Sequence, residues 1–134
     1  MPAEVYGEKY EFLPRPHVLS FEEIDRLTRL FVRIGVSKVR ITGGEPLVRA
    51  NLPDLISKLV VIDRIDDIAL TTNGYLLENN ATELKDAGLN RLTISLDSID
   101  PDIFKEMSGR PQGPENTLAG IKAAASLGFE QIKI

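Results

Sequence analysis

Apolar residues recur along this chain at two alternating periods, one helical and one of strand type, and the switches between them lay out its elements. Ser20 followed by Glu23 fits a capping box. Ile24, Leu27, Phe31 and Ile34 then keep helical spacing until Gly35 supplies a stop, which predicts a first helix over about 20–34. Three later stretches share one design: IGVSKVRI at 34–41, AGLNRLTI at 87–94 and LGFEQIKI at 127–134 each hold a helix end, a glycine and a strand. DDIALTTNG at 66–74 predicts a fourth strand without the leading glycine. Helical patterns fill the gaps at about 52–62 after Asn51, about 77–87 with Leu77, Ala81 and Leu84 on one face, and about 114–127 opened by Pro114. A short helical turn begins at Asp100 and Pro101, an aspartate cap before a proline at the first helical position. Residues 1–19 carry three prolines and no sustained period, and read as an irregular segment crossing a surface.

Strand and helix alternate throughout, so the expected class is α/β, with a parallel sheet and right-handed crossovers. A doubly wound and a barrel-like arrangement both satisfy the alternation. Four strands are too few for a closed barrel, which takes about 250 residues. The (β/α) repeats therefore describe part of an incomplete TIM-like barrel, read as one partial domain over residues 1–134. Its first and last strands would expose unpaired edges, which predicts self-association and a chain that is part of something longer.

Parallel strands covered on both faces are nearly continuous apolar runs, and these are not. Lys38, Arg40 and Thr42 alternate with Val39 and Ile41; Thr71 and Asn73 share a face; Thr93, Ser95 and Asp97 oppose Leu92, Ile94 and Leu96; Gln131 and Lys133 oppose Ile132 and Ile134. The helices supply apolar faces and must cover the aliphatic side. The hydrophilic side of all four strands is left to a shared concavity, or to open solvent. Enclosing Lys38, Arg40 and Lys133 would cost several kcal/mol per ion unless water, carboxylates or an anionic ligand compensates, and a phosphate-rich ligand would serve. Ligands of parallel α/β folds lie beyond the carboxyl ends of the strands, where Gly43 to Pro46, Thr71 to Gly74 and Ser95 to Ser98 fall.

Composition narrows the classes. At 134 residues and 43% hydrophobic the chain can bury one core. Its net charge of -4 gives no general attraction for nucleic acid or an anionic membrane, so any anion must meet a local cation cluster. No apolar run approaches the roughly 18 residues of a spanning helix, and no signal pattern opens the chain, so a cytoplasmic protein is expected. With no cysteine there is no disulfide, no thiolate zinc site and no thiolate-held iron–sulfur cluster within the chain, and no metal-ligating residue is proposed. His17 has neither a second histidine nor a nucleophile pattern nearby and reads as a surface residue; no catalytic residue is assigned.

RITGGEPLVR at 40–49 ends a strand on two glycines followed by glutamate and proline. It lacks the lysine and spacing of a phosphate loop and the three glycines of a dinucleotide fingerprint. Gly43 and Gly44 suggest close approach of a ligand to backbone, or an unusual φ. A plain turn stiffened by Pro46, with Glu45 in solvent, is the other reading. As a site, Glu45 and the exposed backbone suit an ammonium group, which needs acceptors.

VRITGGEPLVR at 39–49, LTTNG at 70–74 and SLDSID at 95–100 resemble, in order and spacing, the radical S-adenosylmethionine (SAM) GTP cyclase family that begins molybdenum-cofactor biosynthesis. The resemblance covers nearly the whole chain. It implies a partial barrel in which SAM on a 4Fe-4S cluster yields a 5'-deoxyadenosyl radical that abstracts the ribose C3′ hydrogen of GTP, giving 3',8-cyclo-7,8-dihydro-GTP. It also implies SAM contacts at Gly44, Glu45 and Ser95, and GTP contacts at Arg40, Thr71, Lys133 and Lys38. The full-length parent is expected to be a homodimer.

The family's C-x-x-x-C-x-x-C loop is directly followed by Met-Pro, which is how this chain begins at Met1 and Pro2, and a second cysteine trio near the family's C-terminus has no counterpart. The loop before Lys133 carries one residue more than in the family. A central fragment is therefore expected, holding much of the ligand shell but unable to cleave SAM reductively. A cluster-free nucleotide or SAM binding module and another radical SAM enzyme are the alternatives; Arg40 in its Arg-Ile-Thr context argues against the latter.

Overall fold

The computed structural model describes residues 17–109, 111–129 and 131–134. The irregular segment expected at the N-terminus lies, up to residue 16, outside them. Helix α1 (Phe21–Arg33) opens with the expected capping box: Ser20 Oγ accepts from Glu23 N at 3.2 Å and the Glu23 carboxylate accepts from Ser20 N at 2.8 Å. There follow β1 (Lys38–Ile41), a 3-10 turn (Pro46–Val48), α2 (Leu52–Val60), β2 (Asp67–Thr72), α3 (Leu77–Asp86), β3 (Arg91–Ile94), α4 (Pro101–Ser108), α5 (Glu115–Ser126) and β4 (Gln131–Lys133). Asp100 caps α4 as anticipated, accepting from Asp102 N and Ile103 N at 2.9 and 3.1 Å. Asn51 precedes α2 in the left-handed region at φ 60 and makes no side-chain cap bond, a conformation asparagine tolerates. That helix ends at Val60, two residues short of expectation, where Ile62 N turns back to Leu59 O.

The four strands are parallel and lie in the order β1-β2-β3-β4. This order decides between the two architectures. A doubly wound sheet reverses its strand order partway and puts helices on both faces. Here each crossover advances in the same direction, which with the usual right-handed connection puts the crossover helices on one side, and α2, α3 and α5 share one core against the sheet. The protein is thus α/β, an open run of barrel-type repeats. Among the described residues, no helix is long and apolar enough to cross a membrane.

The core fills the space between sheet and helices. Ile68, Leu70, Leu92 and Ile94 from the central strands meet Leu55, Ile56 and Leu59 of α2, Leu77, Ala81 and Leu84 of α3 and Ala124 of α5, all buried. The expected α3 stripe is therefore the inner face. The expected α1 stripe is not. Only Ile24 of that stripe is half-buried; with Phe21 and Val32 it packs on the core around the buried Thr28, while Leu27, Phe31 and Ile34 are exposed. The helix makes its main contact with α2, so one narrow stripe suffices to dock it.

Two glycines set how closely α5 rides over the strand ends. A Cβ on Gly120 would lie 2.7 Å from Gly74 O and 2.8 Å from Leu77 Cβ, so the helix passes directly over the peptide that opens α3. Gly74 itself has φ +75, and a Cβ there would come within 2.9 Å of Ile94 Cγ2. Gly120→Ala is expected to destabilise the fold by about 1–3 kcal/mol through overpacking. Gly128→Ala is the comparison, because a Cβ at that position meets nothing within 4 Å and only its φ of +65 is strained. It should cost about 1 kcal/mol. Denaturant unfolding of both variants checks the pair; equal midpoints would refute the close-packing argument.

Candidate functional site

The sheet face away from the helices carries the polar stripe. The register sets Lys38 opposite Asp67, Arg40 opposite Ala69, Ala69 opposite Arg91, Thr71 opposite Thr93, and Thr93 opposite Lys133. Because Ala69 is small, the Arg40 guanidinium reaches over β2, and its Nη1 donates to Thr71 Oγ1 at 2.9 Å and to Thr93 Oγ1 at 3.1 Å. One cation thereby spans three strands. Lys133 and Lys38 are exposed on the flanking strands. The carboxylate compensation expected for these cations exists in part near the strand starts. Arg91 grips Asp67 with two nitrogens, Nε to Oδ1 at 2.7 Å and Nη2 to Oδ2, and its Nη1 donates to Gln131 Oε1 at 3.1 Å. Arg40 is exposed, so it avoids the large desolvation cost of an enclosed ion.

At the carboxyl ends the backbone is open. Gly43 has φ +156 and a Cβ on it would meet nothing within 4 Å, and both it and Gly44 are exposed. Ser95, exposed, continues β3 by donating its N–H to Thr72 O at 2.9 Å. The TTNG end is also a turn, as its alternative reading held: Asn73 Oδ1 accepts from Tyr75 N at 2.9 Å.

Glu45 is not the solvated turn residue of the plainer reading. It is half-buried, and its carboxylate draws in three donors: Leu47 N at 3.0 Å and Thr72 Oγ1 at 2.6 Å on Oε1, and Asn73 N at 2.8 Å on Oε2. The glycine loop after β1 is in this way tied to the end of β2. Thr72 Oγ1 accepts in turn from Gly74 N at 3.0 Å, and Thr117 of α5 donates to Asn73 O at 2.9 Å. Arg49, at the end of the same loop, donates to Leu19 O at 2.6 Å and lies 4.3 Å from the Phe21 ring, which joins the loop to the start of α1.

Of the residues singled out from sequence, Arg40 and Thr71 are in direct contact, and Lys133 adjoins their partner Thr93 in the register. Gly44 and Glu45 lie beyond the end of β1 and Ser95 beyond the end of β3, with β2 between them, and Lys38 lies one alternation before Arg40, at the opposite end of β1. The sequence reading passed over Thr72 and Thr117. A threonine in register with Ile68 and Leu70 on the apolar side of β2 was the available signal. His17 is exposed, and no cluster of three or more metal-ligating side chains occurs among the described residues.

The sequence pattern of the Radical SAM superfamily matches residues 5–134. Three proteins named GTP 3',8-cyclase are similar over nearly the whole chain. The one from Acidothermus cellulolyticus is 49% identical over 134 residues, 100% of this chain and 37% of that protein. That from Staphylococcus epidermidis is 46% identical over 130 residues, 97% of this chain and 38% of its own length. That from Xanthomonas campestris pv. campestris is 48% identical over 134 residues, 100% and 39% respectively. The chain spans between 37% and 39% of the length of these relatives.

The two arginines of the polar face differ in what they support. Arg40→Ala removes exposed bonds and is expected to cost less than about 1 kcal/mol of stability. Arg91→Ala leaves Asp67, whose side chain is only 14% exposed, without its partner and should cost about 1–3 kcal/mol. Chemical denaturation of the two variants measures the contrast; an Arg40 variant as unstable as the Arg91 variant would make Arg40 a structural residue.

Proposed function

We propose that this chain, which belongs to the Radical SAM superfamily, carries the nucleotide and SAM contacts of a GTP 3',8-cyclase, the lyase that opens molybdenum-cofactor biosynthesis. The observation that carries the reading is the Arg40 guanidinium held over Thr71 and Thr93 on an open polar face, with Lys133 on β4 in register with Thr93. Arginine presents planar paired donors suited to phosphate oxygens, and lysine adds a point charge. Arg40, Lys133 and Lys38 bind the triphosphate of GTP, and the Thr71 hydroxyl, already within reach of Arg40, completes that contact.

At the strand ends the acceptors favour the other ligand. The backbone of Gly44 and the carboxylate of Glu45 receive the ammonium of the methionyl group of SAM, and Ser95 binds the same molecule. In the superfamily a 4Fe-4S cluster would supply the electron for reductive cleavage of SAM, and Gly44, Glu45 and Ser95 would hold SAM for that chemistry beside GTP bound by Arg40, Thr71, Lys133 and Lys38. The residues of this chain do not fit the cluster itself: the sequence contains no cysteine, so it offers no thiolate to iron. What these 134 residues contribute is binding and orientation of two ligands, as one partial core domain. The full-length protein is assigned to the cytoplasm and to a homodimer, the open edges of the sheet supporting association with further chain.

The lack of cysteine also favours a second reading, a cluster-free module that binds nucleotide or SAM without turning it over. A reading frame with cysteines encoded immediately upstream of Met1 and a further pair far downstream excludes it.

Isothermal titration calorimetry of the chain with GTP tests the assignment. Weak, triphosphate-dependent binding is expected, with guanosine weaker still, and Arg40→Ala should weaken GTP binding about fivefold or more, the loss of one charge-assisted contact. GTP binding indifferent to Arg40→Ala, or equal affinity for guanosine, would remove the anion site.

A further inference from the structure

The Glu45 carboxylate has room for about four donors, two on each oxygen. Oε1 is filled by Leu47 N and Thr72 Oγ1, and Oε2 holds Asn73 N, so one accepting position remains, on Oε2. Which way that position faces is fixed by the side chain that holds Oε1. Thr72 is 2% exposed and stands among aliphatic residues, where an unbonded hydroxyl costs free energy. Its bond to the carboxylate, 2.6 Å, is the shortest of the three that Glu45 accepts, as charge assistance produces, and its oxygen is engaged a second time by Gly74 N at 3.0 Å. In the observed rotamer the one hydroxyl serves both partners, donating to Glu45 and accepting from Gly74. The Asn73 peptide is gripped from both sides, its N–H by Glu45 and its carbonyl by the buried Thr117. Gly43, two residues before Glu45, has no comparable anchor in packing, since a Cβ on it would touch nothing within 4 Å.

We infer that Thr72 is a positioning residue: acting through Glu45, it locks the glycine loop and leaves one oriented acceptor for the ammonium end of an amino-acid-bearing ligand. The ligand class rests on the reading of this loop as the SAM site; the lock itself does not. Thr72 touches no ligand in this account. It belongs to the helical side of the sheet and acts across the strand end.

Thr72→Val removes both the donor and the acceptor at nearly constant shape, and Thr72→Ser keeps them. Two measurements on the whole chain separate the parts of the inference: amide hydrogen exchange at Leu47 and Asn73 without ligand, and calorimetric binding of SAM and, separately, of GTP. For Thr72→Val, exchange at both amides should accelerate and SAM binding should weaken, each about tenfold, while GTP binding stays within about twofold. Thr72→Ser should restore both values. Unchanged exchange in Thr72→Val, a serine variant no better than valine, or a parallel loss of SAM and GTP binding would overturn the positioning role. A wild-type chain that fails to bind SAM while its exchange responds as described would overturn the SAM reading and support the lock.

Discussion

A parallel sheet whose crossovers all advance in one direction receives its helices on a single side, and everything else in this molecule follows from that asymmetry. The covered face must be aliphatic to bury α2, α3 and α5, and the uncovered face is free to carry charge without the cost of desolvating it. Ile68, Leu70, Leu92 and Ile94 define the first surface, and Arg40, Thr71 and Thr93 the second. One alternating pattern thus produces the core and the candidate site together.

Three polar links cross from strand to strand, each of a different kind. Near the strand starts the Asp67–Arg91 pair and Gln131 tie β2, β3 and β4, a bidentate ion pair that fixes register. In the middle Arg40 bridges β1, β2 and β3 through threonine hydroxyls, which are neutral and leave its charge uncancelled for an anion. Beyond the strands Glu45 joins the loop after β1 to the turn after β2, which lays negative charge at the mouth. The charge on the face therefore changes sign along the strand direction. A ligand set with phosphates at one end and an ammonium at the other matches that order.

The structural residues behind the site are small or hydroxyl-bearing. Gly120 lets α5 approach the peptide at Gly74, and Thr117 on the same helix reaches Asn73. Helix packing on the covered side thereby reaches the geometry of the open side. The connection passes through the strand end, where the chain leaves the sheet and both faces are within reach of one residue.

Period located the four strands, four of the five helices and the side of the strands that carries Arg40, Thr71, Ser95 and Lys133, because periodicity along the chain is a local property that each stretch states for itself. Capping chemistry placed the start of α1 and of α4 for the same reason. Three things were decided only by tertiary structure. Which stripe of α1 is buried depends on what lies beside it, and an edge helix meets too few neighbours for its own periodicity to choose. The reach of Arg40 to Thr93 depends on register and on a small residue, Ala69, on the strand between them. The engagement of Glu45 by Thr72 joins a loop residue to a strand residue 27 positions away in sequence, and no local signal pairs them. Local periodicity fixes which way a side chain points; only the packed sheet fixes what it meets.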